Sequence, residues 1–107
     1  MSTIIREPIN CEYEYIQYNK KLRIIHSIDD DMYQVKSIID ACHSNKRAND
    51  WINSKDTKEL LKSFEHDRDL AGSIPVDNRI NVSVELRGYY VHRLLVNAVA
   101  MWASSRY

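Results

Sequence analysis

Apolar positions change their spacing several times along this chain, and each change predicts an element. In residues 11–18, Cys11, Tyr13 and Tyr15 alternate with Glu12 and Glu14. That is the period-two pattern of a half-buried strand. Asn19 and Lys20 suit a turn. Residues 22–28 carry Ile24, Ile25 and Ile28, and β-branched side chains favour a second strand. The two strands are expected to pair as a β-hairpin. Asp29, Asp30 and Asp31 end it, because three adjacent like charges need solvent.

The spacing then becomes helical. Val35, Ile38, Ile39 and Cys42 fall on one face of a short helix, which Ser44 and Asn45 break. Residues 47–54 predict a second helix with Ala48, Trp51 and Ile52 inward. A third is expected to start at Asp56 as N-cap, with Glu59 completing a capping box. It carries Leu60, Leu61 and Phe64 on one side and Lys58 and Lys62 on another. Residues 69–78, with Gly72 and Pro75, read as a loop. Residues 80–87 alternate strictly, Ile80, Val82, Val84 and Leu86 against Asn81, Ser83, Glu85 and Arg87, which predicts a strand. Gly88 bends or bulges it. A last helix is expected over about 93–103.

This order predicts a small single α+β domain: an N-terminal β-hairpin, then a helix-turn-helix with winged-helix character. Residues 1–20 read as an N-terminal strand extension and 21–107 as the domain proper. A chain of 107 residues supports one hydrophobic core. No apolar run approaches the roughly 18–20 residues that span a bilayer, so no membrane association is expected. Arg6 and Glu7 interrupt the N-terminus too early for a secretory signal. The protein is therefore expected to be intracellular, with Cys11 and Cys42 as reduced thiols.

Charge refines this picture. The chain has 15 basic and 15 acidic residues, but they are not evenly spread. Residues 46–62 hold Lys46, Arg47, Lys55, Lys58 and Lys62 against Asp50, Asp56 and Glu59, a net charge of +2. Residues 78–107 hold Arg79, Arg87, Arg93 and Arg106 against Glu85, a net charge of +3. Residues 63–77 come to −3, with Arg68 against Glu65, Asp67, Asp69 and Asp77. If the two basic segments meet in space, the protein has one positive face.

Enzyme signatures are absent from the sequence. There is no Gly-rich phosphate loop and no nucleophile elbow. His26, His43 and His66 have no mutual metal spacing, and Cys42 with His43 gives two ligands where zinc takes three or four. No catalytic residue, metal or cofactor is expected. His92, at a strand-to-helix junction, reads as a capping group. Trp51 and Trp102 read as core anchors rather than stacking platforms. Tyr89 and Tyr90 point to opposite faces of an extended segment, so one of them is expected to be buried.

Three blocks then resemble a known family. Lys46-Arg47-Ala48-Asn49-Asp50-Trp51-Ile52, Lys55-Asp56-Thr57-Lys58-Glu59-Leu60-Leu61 and Leu86-Arg87-Gly88-Tyr89-Tyr90-Val91-His92 occur in this order. With Leu95, Ala100 and Trp102 they are similar to the signature of the KilA-N domain of large DNA viruses and phages, which is related to the fungal APSES domains. The resemblance covers roughly residues 22–107. The match departs at Met32-Tyr33-Gln34-Val35-Lys36-Ser37-Ile38, where the family's Asn and Thr are replaced, and at Arg93, which stands for a proline.

The resemblance implies a viral nucleic-acid-binding domain that holds DNA, or RNA, mainly through backbone phosphates. It also implies a site of action in the host cytoplasm, at a viral factory, or in the nucleus. Basic side chains neutralise phosphates, while Asn, Thr and helix N-termini position the backbone. The candidate contacts are Lys46, Arg47, Asn49, Asn53, Lys55, Thr57, Lys58 and Lys62 around the helix turn. Arg87 and Arg93 add contacts from the wing and the last helix. Two alternatives stand beside this. One is a protein-interaction module on the same fold, binding a host protein or forming a homodimer through a Tyr13/Tyr15 surface. The other is the substrate-recognition part of a RING ubiquitin ligase, as in poxviral relatives.

Overall fold

The computed structural model describes residues 5–17, 23–70 and 72–105. The alternation around Tyr13 and the β-branched run around Ile24 form the expected hairpin. Strands β2 (Tyr13–Gln17) and β3 (Arg23–Ser27) pair antiparallel, with Tyr13 opposite Ser27 and Gln17 opposite Arg23. The turn assigned to Asn19 and Lys20 lies outside the described residues. Strand β1 (Ile5–Pro8) flanks β2 at the sheet edge, where a proline with no N–H to donate is tolerated.

Three further strands complete the sheet. These are β4 (Met32–Gln34), β5 (Val76–Arg79) and β6 (Gly88–His92), giving the antiparallel order β1-β2-β3-β4-β6-β5. Among the described residues four α-helices accompany it: α1 (Val35–Ala41), α2 (Ala48–Asn53), α3 (Lys55–His66) and α4 (Val96–Ser104). This is the expected α+β class.

Neighbouring residues of a strand face opposite sides, and the sheet uses both. Ile24 and Val91 face the helices and join Val35, Ile38, Ile39, Trp51, Phe64, Leu95 and Val99 in the main core. Ile25 and Tyr90 face the other way and pack with Tyr13, Met32 and Leu86. The expectation for the tyrosine pair holds: Tyr90 is fully buried and Tyr89 partly exposed.

The expected strand at 80–87 is not formed. Ile80 is 65% exposed and Val84 76%, and Val84–Leu86 is a 3₁₀ turn that sends Leu86 into the second cluster. The segment satisfies its backbone groups without a ladder. The buried Gln34 donates from Nε2 to the carbonyls of Glu85 (2.9 Å) and Arg87 (3.0 Å). The Tyr90 hydroxyl donates to that of Leu86 at 2.7 Å. The strand lies just upstream instead, in what read as a loop: Val76 pairs with Val91 and Arg79 with Gly88.

The start of α3 also shifts. Ser54, not Asp56, is the N-cap: its Oγ accepts from the Thr57 N–H at 3.2 Å, and Asp56 sits in the first turn. Ser54 alone separates α2 from α3. The last helix begins with a 3₁₀ turn, Arg93–Leu95, and continues as α4. His92 caps it as expected, its Nδ1 accepting from the Leu94 N–H at 3.1 Å.

Candidate nucleic-acid interface

The link between α1 and α2 and the start of β6 meet at a groove of about 390 Å³. Lys46, Arg47 and Asn49 line one part and Arg87 another. Residues some 40 positions apart in sequence thus share one site. Arg47 is the N-cap of α2, in an extended conformation that leaves its side chain exposed. Gly88, at φ 118°, lets the chain turn from the loop into β6 beside the groove. The Arg87 Nε donates to the Val82 carbonyl at 2.9 Å, which fixes the stem of that side chain.

Lys36 joins them from the exposed side of α1, four residues before Asp40, which also lines the groove. The sequence reading missed Lys36, because a lysine opposite the apolar stripe of a helix reads as an ordinary solvated face. Among the described residues the lining is therefore four cations, Lys36, Lys46, Arg47 and Arg87, around one carboxylate.

The other candidates are placed elsewhere. Asn53, Lys55, Lys58 and Lys62 are exposed on α2 and α3 but do not line this groove. Thr57 is 3% exposed, with its hydroxyl 2.7 Å from Ser54 Oγ, so its side chain serves the helix cap. Arg93 opens on a separate groove with Tyr33, Leu94, Val96 and Asn97. Trp51 is buried in the core as expected, whereas Trp102 is half-buried beneath the Lys46 ammonium.

Arg79 shows why a basic residue need not be a contact. It donates to Asp77, Tyr13 and Ser27, is ion-paired with Asp30, and stacks 4.5 Å from the Tyr90 ring centre. Burial works against its charge, but the hydrogen bonds to Asp77 and Tyr13 and the Asp30 charge outweigh that and hold its pKa above the ordinary arginine value. A second polar cluster is equally internal. His26 faces Glu14 through Nδ1 (2.7 Å) and Asp31 through Nε2 (2.6 Å), and stacks on Tyr33. It fastens the β2–β3 hairpin to the turn before β4.

The family model for the KilA-N domain matches residues 16–107. The chain belongs to the KilA-N domain family. It is also 29% identical over 98 residues to a KilA-N domain-containing protein of Acanthamoeba polyphaga mimivirus, a match covering 91% of this chain and 28% of that protein. The chain thus spans little more than a quarter of this relative's length. No solved structure matches it. KilA-N is a DNA-binding-type family from large DNA viruses and not an enzyme family. Within this KilA-N domain the three signature blocks fall at the groove wall and α2, at the start of α3, and on the 3₁₀ turn leading into β6.

Proposed function

We propose that this KilA-N domain binds DNA, mainly through backbone phosphates, at the groove between the α1–α2 link and β6. The observation that carries this reading is the convergence of Lys36, Lys46, Arg47 and Arg87 on one groove in a chain whose net charge is zero. Cations that share one groove can neutralise backbone phosphates and release their counterions. The exposed Lys55, Lys58 and Lys62 of α3 are further cations outside the groove. RNA carries the same backbone charge and competes for the same site. A viral DNA-binding role implies action inside the host cell, at a cytoplasmic factory or in the nucleus.

The test is fluorescence anisotropy with a labelled duplex at two salt concentrations. Binding that weakens steeply with salt is expected, and Arg47→Glu with Arg87→Glu, which reverses two charges of the groove, should weaken it further. Absence of binding at low salt would sink the reading. The protein-interaction alternative has less support. Tyr13, half of its expected tyrosine surface, is buried, and Tyr15 is half-buried with the Arg23 guanidinium 3.7 Å from its ring centre.

A further inference from the structure

The groove holds more than phosphate binding requires. Ile39, Ala48 and the partly exposed Tyr89 give it an apolar floor. A phosphate gains nothing from such a floor, whereas a base has a π-face that stacks on an aromatic ring. Asn49 and Asn78 add amide groups. Asp40 is the unexpected member. A carboxylate among four cations opposes phosphate binding, and among the described residues no cation lies within ion-pair distance of it, Lys36 four residues earlier included. It is an exposed acceptor whose two oxygens can exchange water for the N–H donors of a ligand.

We infer that the groove seats one unpaired guanine nucleotide of a single strand, its base against Tyr89 and its Watson–Crick edge on Asp40. This deepens the proposed function and rests on it. Guanine carries two adjacent N–H donors, N1 and N2, on that edge, which matches the two oxygens of a carboxylate. In a duplex the edge is occupied by cytosine, so the base must be single-stranded or splayed out to reach Asp40. The space fits: about 390 Å³ lies near the lower end of the roughly 300–1,000 Å³ of small-ligand sites. The surrounding Lys36, Arg47 and Arg87 would hold the phosphates on either side.

The test compares oligo-dT of about twelve nucleotides with the same strand carrying one central guanine, adenine or cytosine, and with a duplex. Affinities are measured by anisotropy for the wild type and for Asp40→Asn. The guanine strand is expected to bind about tenfold tighter than oligo-dT, the discrimination of one good bidentate contact. Asp40→Asn should erase that preference and at the same time raise oligo-dT affinity, because a repelling charge is gone. A purely structural Asp40 would not move these two quantities in opposite senses. Equal affinity of the wild type for all four strands overturns the inference while leaving phosphate binding intact. So does a guanine preference that survives in Asp40→Asn. Failure of every strand and of the duplex to bind overturns the proposed function and this inference with it. An oligo-U series with one central guanine shows whether RNA is read in the same way.

Discussion

The ammonium of Lys46 donates to the backbone carbonyl of Trp102 at 2.6 Å and lies 4.9 Å from the centre of its indole ring. One side chain thus ties the link between α1 and α2 to the last turn of α4. A cation there also meets the negative end of the helix dipole. Lys46 is therefore part of the frame that shapes the groove as well as one of its cations. Lys46→Met keeps the apolar stem and removes the charge. It is expected to lower stability by about 1–2 kcal/mol, the scale of a hydrogen bond from a charged donor in a half-exposed setting. Urea denaturation measures it. An unchanged midpoint would show that the contact contributes nothing to the fold.

Arg47 and Arg87 line the groove, whereas Arg93 opens on a different one. Their neutral variants should separate cleanly in salt dependence. Arg47→Gln and Arg87→Gln are each expected to reduce the slope of log affinity against log salt by about one, the value for one phosphate contact. Arg93→Gln should leave the slope unchanged. Equal losses for all three would place the nucleic acid across both grooves and enlarge the interface.

The contrast between these arginines was only partly legible in the sequence. The hairpin around Tyr13 and Ile24 and the helical stripe through Val35, Ile38 and Ile39 follow local periodicity, and they form as the periodicity predicts. The strand expected at 80–87 fails because alternation records polarity and not partners. Ile80 and Val84 face solvent, and Gln34, some 50 residues away, captures the backbone that a ladder would have used. Val76-Asp77-Asn78-Arg79 has a single apolar residue and no strand signature, yet pairing with β6 and the Arg79 bonds make it one. The groove shares this limit. Its charges were visible as residues, but their meeting depends on β6 passing beside the α1–α2 link, and Asp40 and Lys36 gave no local signal at all.

The α2–α3 junction offers a sharper check, because the cap is Ser54 and not Asp56. Ser54 Oγ accepts from the Thr57 N–H and lies 2.7 Å from the Thr57 hydroxyl, so both residues close the first turn of α3. Ser54→Ala is expected to cost about 1 kcal/mol, the usual loss for a serine N-cap. Asp56→Ala should cost less, within about 0.3–1 kcal/mol, because only its favourable position near the helix N-terminus is lost. Thermal denaturation of the two variants under one buffer ranks them. The reverse ranking would return the cap to Asp56.

The second core cluster carries a pH dependence. Burial, with Tyr13 beside it, pushes the Tyr90 phenol above its ordinary pKa of 10.0, against the opposing pull of Arg79. The folded chain therefore holds this proton more tightly than the unfolded chain does. The resulting stability is complete below the ordinary tyrosine pKa, begins to be lost above it because the unfolded chain ionises first, and is gone only above the raised folded value. The proton is committed structurally as well, since the hydroxyl donates to the Leu86 carbonyl that anchors the 3₁₀ turn. Wild-type stability should accordingly hold from pH 8 to about 9 and fall from about pH 10 upward, so that pH 8 and pH 11 lie on either side of the onset. Tyr90→Phe should start about 1–2 kcal/mol lower at neutral pH, because it leaves that buried carbonyl without its donor. Over the same range its stability should fall less steeply. Urea midpoints at both pH values decide the matter: parallel declines would mean that the alkaline loss comes from other groups and that the Tyr90 proton is not what holds the turn.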